Sequence, residues 1–67
     1  MTTLGEAFPR EQARLRRMKQ RAQDCGPGGT FLARLLEDCL RRADRAAVEQ
    51  DLPAMVAIYK EMRAFQD

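Results

Sequence analysis

Residues 30–53 read TFLARLLEDCLRRADRAAVEQDLP and decide the fold. Apolar residues recur in this stretch at spacings of three and four, which is the period of one face of an α-helix. Thr30 can cap this helix at its start. Near the end, Asp51 can cap a new helix and Pro53 falls in its first turn, where a missing N–H costs nothing. The broad apolar stripe consists of Leu32, Leu35, Leu36, Cys39, Leu40, Ala43 and Ala47.

The stretch therefore predicts one helix over about residues 30–49 and another over about residues 52–65. Only one or two residues link them, so the two helices must lie antiparallel and side by side. The second of them carries a wide apolar face, widened further by Ile58. The other members of that face are Leu52, Met55, Val56, Tyr59, Met62 and Phe65.

A further helix is predicted over about residues 9–24, with Pro9 at its start and Leu15, Met18 and Ala22 on its apolar face. A hinge over residues 25–29, containing Gly26-Pro27-Gly28-Gly29, separates it from the hairpin because no helix continues through such a run. Residues 1–6 are expected to fray. Apolar residues never alternate with a period of two, so we expect a single all-α domain over residues 1–67.

Length and composition restrict how this domain is stabilised. A chain of 67 residues buries a small core, and such chains are usually stabilised by disulfides, a metal or oligomerisation. Histidine is absent, and Cys25 and Cys39 have no CxxC spacing, so a metal site and other cofactors are not expected. We find no signal peptide and no apolar run long enough for a membrane span, which favours a cytoplasmic protein with reduced thiols. Cys39 then becomes a core residue, Cys25 a loop thiol, and a homodimer the expected stabiliser.

The apolar faces are wider than one hairpin partner can cover. Phe31, Val48, Ile58 and Phe65 fall outside the narrow seam between the two later helices. A surplus apolar face on a small protein usually marks a protein–protein surface. The ladder Tyr59, Met62 and Phe65 could instead belong to the core. Our candidate residues for a dimer or partner surface are Phe31, Ile58, Tyr59, Met62 and Phe65.

Catalysis is not expected. The sequence contains neither histidine nor serine, and it offers no nucleophile and base at a suitable spacing. The adjacent acids Glu37 and Asp38 point about 100° apart on a helix and are normally solvated. The glycine-rich run lacks the GK[ST] ending of a phosphate-binding loop. We therefore expect a protein that is not an enzyme.

The most distinctive polar feature is a row of arginines, Arg10, Arg14, Arg17 and Arg21, spaced by four, three and four. Residues 9–24 carry six basic and two acidic side chains, whereas the whole chain has a net charge of +2. The row could extend over the edge of the core and pair with acids such as Glu37, Asp38 or Asp44. It could equally bind an acidic surface of a partner protein. Phosphate binding is less favoured because no aromatic residues are interleaved with the basic ones.

Two stretches carry a family resemblance. They are residues 8–14, reading FPREQAR, and residues 43–62, which contain ADRAA, DLPAM and YKEM. Together with the Gly26-Pro27-Gly28 hinge, they resemble small helical proteins of Mu-like temperate phages and prophages, in particular the phage quorum-sensing anti-activators. The likeness covers most of residues 7–62. One departure is Gln50, which stands where we would expect a glycine before Asp51.

The resemblance implies a dimeric helical protein that binds a LuxR-type transcriptional regulator of the bacterial host, or a type IV pilus ATPase, without catalysis. In that interpretation the apolar surplus forms the dimer, and the arginine row or a neighbouring helix face contacts the target. Two alternatives stay open: a small nucleic-acid-associated regulator that uses the same arginines, and a structural or assembly component of a phage particle.

Overall fold

The computed structural model describes residues 3–66, and within that range the chain is all-α with no β-strand. It contains α1 (Leu4–Asp24), a 3₁₀ turn (Gly26–Gly29), α2 (Thr30–Glu49) and α3 (Leu52–Ala64). Each α-helix contacts the other two, so the chain forms a three-helix bundle. No helix in the described range is long and apolar enough to cross a membrane. The expected all-α class with three helices is confirmed.

The first helix begins at Leu4, five residues earlier than predicted. Thr3 caps it: the Thr3 Oγ1 accepts a 3.3 Å hydrogen bond from the Glu6 backbone N–H, in a Thr-x-x-Glu pattern typical of a helix start. Pro9 therefore lies inside the helix, where its ring would meet the carbonyl of the residue four positions earlier. That residue is Gly5, which is exposed and has no side chain of its own. Residues 4–6 are helical rather than frayed, and residues 1 and 2 lie outside the described range.

The predicted hinge over residues 25–29 is a tightly packed turn. Gly26 adopts a positive φ of 78°, which glycine accommodates without strain. Gly29 approaches the end of α1 so closely that a Cβ atom there would lie 1.8 Å from the Ala22 carbonyl oxygen. Gly29 also takes the N-cap position of α2, so the predicted cap at Thr30 is wrong. Thr30 is instead the first residue of the helix.

The turn between α2 and α3 follows the prediction closely. Gln50 adopts a left-handed conformation (φ 53°, ψ 38°) and donates its N–H to the Ala47 carbonyl at 3.2 Å. The Asp51 N–H reaches back to the Ala46 carbonyl at 3.0 Å, which completes a Schellman motif. The Asp51 side chain then accepts a hydrogen bond from the Ala54 N–H at 3.3 Å, so the predicted cap of α3 is confirmed.

The core lies where the three helices meet, and its fully buried large side chains include Phe8, Leu15, Leu36 and Met62. Cys39 is buried among them, as the sequence predicted. Hydrogen bonds between polar side chains border the core. Asp44 accepts hydrogen bonds from Gln12 at 2.7 Å and from Arg16 at 2.9 Å, which ties α1 to α2. The core cluster comprises Phe8, Leu15, Met18, Leu36, Cys39, Leu40, Ala43, Ala46, Ile58 and Met62.

Candidate protein-binding surfaces

The first two turns of α2 carry an exposed apolar surface, which we call the α2 patch: Phe31, Leu32 and Leu35. Phe31 is 74% exposed, Leu35 44% and Leu32 39%. At helical spacing these three side chains occupy one continuous strip of about 100°. The sequence analysis placed Leu32 and Leu35 on the broad apolar stripe of this helix, and the structure leaves both exposed.

The α2 patch is exposed because α3 ends before reaching it. The Arg42 guanidinium forms two 3.0 Å hydrogen bonds with the Glu61 carboxylate, which fixes the register of the antiparallel pair. Glu61 lies three residues from the end of α3, whereas Arg42 lies three turns from the start of α2. The first turns of α2 therefore extend beyond α3. In the described chain, only Phe65 and Gln66 continue in that direction.

A shallow apolar depression continues the α2 patch towards α1. It has a volume of about 200 Å³, and Leu32 forms one of its walls. Met18 and Ala22 of α1 and the exposed Cys25 form other parts of its lining, with Arg21 and Gln66 also contributing. The α2 patch and this depression together make an apolar surface that spans the junction of two helices.

Of the five predicted surface residues, only Phe31 is largely exposed. Ile58 is 7% exposed and Met62 is fully buried, so neither can contribute to a surface of this folded chain. Tyr59 and Phe65 are partly buried and pack against the core. The reason is that α1 and α2 both pack against α3, and the face of α3 that contacts them is centred on Ile58 and Met62. Sequence periodicity alone did not place α1 against α3.

The predicted arginine row is divided by the fold. Arg14 is partly buried and turns inward: its Nη2 donates to the Met62 carbonyl at 2.7 Å, and its Nε donates to Glu11 at 3.0 Å. This agrees with the interpretation in which the row extends over the edge of the core. Arg17 and Arg10 remain exposed, and neither forms an ion pair within residues 3–66. Arg21 lines the apolar depression instead.

Two of the three acids named as possible partners of the row, Asp38 and Asp44, pair with other arginines. Asp44 pairs with Arg16, which is not part of the row. Asp38 pairs with Arg42 at 3.1 Å, within α2. These side chains are about half exposed, so each pair contributes little stability. The hydrogen bond to Glu61 raises the pKa of Arg42, which stays charged.

A second surface, the arginine groove, lies between α1 and the C-terminal end of α3. Its volume is about 560 Å³, and its lining includes Arg10, Arg14, Arg63, Glu11, Tyr59 and Phe65. The Arg63 Nη1 donates to the Tyr59 hydroxyl at 3.4 Å, and the Arg63 Cζ lies 5.9 Å from the centroid of the Tyr59 ring. This hydrogen bond raises the pKa of Arg63. Sequence reasoning missed Arg63 because it belongs to a different helix from the row.

The two thiols have different surroundings. Cys25 is exposed at the end of α1, whereas Cys39 is buried, and both are free. Burial raises the pKa of the Cys39 thiol because the core disfavours the thiolate; the neighbouring Arg42 opposes this effect to a smaller extent. Among residues 3–66, no three Cys, Asp or Glu side chains are grouped so that they could hold a metal ion.

Comparisons of this chain with known proteins found no relative. No protein-family model, no curated protein and no solved structure matches this chain.

Proposed function

We propose that this chain is a non-catalytic protein-binding module that pairs with a second copy through the α2 patch and acts by binding a host protein. The exposure of Phe31, Leu32 and Leu35 is the observation that carries the proposal. A phenylalanine that is 74% exposed beside two half-exposed leucines leaves apolar area in water on a chain of only 67 residues. Covering that area with another polypeptide removes it from water at a gain of about 25 cal/mol per Å².

The α2 patch is suited to pairing with a copy of itself. In a twofold dimer of antiparallel α2 helices, Phe31 of one protomer can pack against Leu35 of its partner, and the reverse contact follows by symmetry. The adjoining depression adds apolar area at the edge of such an interface. Aromatic residues at the centre of an interface commonly supply a large share of its binding energy.

Resemblance to the phage quorum-sensing anti-activators supports a host target such as a LuxR-type transcriptional regulator. In this proposal the chain acts stoichiometrically: it occupies a functional surface of the regulator and prevents DNA binding. The relevant test mixes the chain with a purified LuxR-type regulator and its operator DNA. Loss of the regulator–DNA complex at equimolar chain supports the target class. An unaffected complex, with no association between the two proteins, argues against it.

The dimer is tested by light scattering on a sizing column. The wild-type chain should elute with twice the monomer mass of 7.7 kDa. The double variant Phe31→Ser with Leu35→Ser should be monomeric and keep its helicity, because neither side chain is buried in the bundle. Val48 provides a matched control, since it is 84% exposed at the other end of α2. Val48→Ser should leave the dimer intact, and a wild-type chain that stays monomeric at high concentration contradicts the proposal.

A further inference from the structure

The arginine groove presents two guanidinium groups, those of Arg10 and Arg63, that form no ion pair with a carboxylate of residues 3–66. Arg10 forms no ion pair in the described chain, and Arg63 contacts the Tyr59 phenol rather than an acid. Glu11, the acidic residue in the lining, is already hydrogen bonded to Arg14. The groove therefore offers net positive charge from two helices, with Arg10 on α1 and Arg63 on α3.

The walls of the groove are partly aromatic. Tyr59 and Phe65 are partly buried, so their rings are held in place by the core while part of each lines the groove. Guanidinium groups bind carboxylates through planar paired hydrogen bonds, and they tolerate adjacent aromatic surface better than an ammonium does. A ligand that fits carries carboxylates next to an apolar side chain.

We propose that the arginine groove binds an acidic segment of a partner protein, with carboxylates at Arg10 and Arg63 and an apolar side chain against Tyr59 and Phe65. This inference rests on the proposed function, because it names the surface and the chemistry through which the module would meet its target. The groove lies between α1 and α3, whereas the α2 patch lies on α2. The same chain can therefore pair with its copy and hold a target segment.

Nucleic acid fits the groove less well. A phosphate backbone requires a line of cations along its path, and affinity grows with the number of phosphates neutralised. The fold breaks the predicted row, since Arg14 donates to the Met62 carbonyl. Arg16, which lies outside the row, is also engaged, because it pairs with Asp44. A volume of about 560 Å³ accommodates a few side chains rather than a strand.

The experiment follows the arginine Nε–H signals of the full-length chain by NMR. The probe is a short capped peptide of glutamates around one phenylalanine, and the matched control peptide has glutamines in place of the glutamates. The acidic peptide should shift the signals of Arg10 and Arg63 and bind at least about tenfold more tightly than the control peptide. Arg10→Gln and Arg63→Gln should each weaken binding about fivefold or more. Arg17→Gln, an exposed arginine of α1 outside the groove, should leave it unchanged.

Three results would overturn this inference: equal binding of the two peptides, undiminished binding by the Arg10→Gln and Arg63→Gln variants, or tighter binding of single-stranded oligothymidine to the same arginines. Circular dichroism verifies that both variants remain folded, as expected for exposed side chains. A failure here leaves the light-scattering test of the α2 patch unaffected, because the peptide does not contact Phe31 or Leu35. Conversely, a monomeric wild-type chain that still binds the acidic peptide would refute the proposed dimer but support binding of an acidic segment in the arginine groove.

Discussion

The Nη2 of Arg14 donates a 2.7 Å hydrogen bond to the main-chain carbonyl of Met62, 48 residues further along the chain. Met62 lies in the last turn of α3, where carbonyl groups carry partial negative charge, and its carbonyl also accepts a 3.2 Å hydrogen bond from the Phe65 backbone N–H. The partly buried Arg14 guanidinium of α1 therefore supplies a second donor to this carbonyl at the end of α3. It also donates to the Met18 sulfur at 3.4 Å, which keeps the side chain against the core.

Replacing Arg14 with methionine should destabilise the fold. Methionine retains the apolar contact of the side chain but has no donor for the Met62 carbonyl, so we expect a loss of about 2 kcal/mol in the free energy of unfolding. Urea denaturation followed by circular dichroism measures this loss. Arg17→Met changes an exposed arginine of the same helix and should cost less than about 0.5 kcal/mol. Matching midpoints for the two variants would show that the Met62 contact is unimportant.

Alanine substitutions at Gly29 and at Gly28 should have opposite effects on the stability of the fold. A Cβ at Gly29 would collide with the backbone at Ala22, so Gly29→Ala should cost about 2–3 kcal/mol or displace α1 from α2. A Cβ at Gly28 meets nothing within 4 Å, and its φ is not positive. Gly28→Ala should therefore be neutral or stabilising by up to about 1 kcal/mol. Thermal unfolding of the two variants gives the comparison, and similar melting temperatures would refute the close contact.

Gln50→Gly should stabilise the chain. A residue with a Cβ pays a steric cost in the left-handed conformation that Gln50 adopts, and glycine does not. We expect a net gain of about 0.5–1 kcal/mol after the greater freedom of glycine in the unfolded chain is included. The same substitution at Gln20, an exposed position inside α1, should instead cost about 1 kcal/mol. If the denaturation midpoints of both variants shift in the same direction relative to wild type, this account is contradicted.

Stability should fall in alkaline solution through Cys39. Burial raises the pKa of its thiol, so the unfolded chain loses this proton at lower pH than the folded chain does. Between these two pKa values the folded chain holds more protons than the unfolded chain. The stabilising contribution of Cys39 is therefore complete below the ordinary thiol pKa and declines above about pH 8.5. Urea midpoints of wild type, Cys39→Ala and Cys25→Ala across pH 7–10 measure the effect. The alkaline decline should be smaller in Cys39→Ala than in the other two chains, and identical declines in all three would exclude this origin.

The elements of the fold were predictable because their signals are local. The period of α2, the Asp51 cap and Pro53 all act within a few residues, and the structure agrees with them. The start of α1 was missed because Pro9 was taken as a first-turn proline, while the Thr3 and Glu6 capping pattern went unused. A local rule could have found it.

The surfaces were harder to predict because they depend on how far one helix covers another. Leu35 and Leu36 are adjacent and equally apolar, yet Leu36 is fully buried and Leu35 is not. Their difference comes from the relative lengths of α2 and α3 and from the position of α1. For the same reason, periodicity left open whether Met62 belongs to the core or to a surface, and it did not place Ile58 in the core. It also could not associate Arg10 with Arg63 on another helix.

The tight contact at Gly29 also limits how two copies of this chain could associate. A loose connection would let the first helix swing out and insert into a neighbouring molecule, as in domain-swapped dimers. The close approach of Gly29 to Ala22 ties that helix to its own bundle. Two copies would therefore meet as finished bundles, and separately labelled populations should mix without first unfolding.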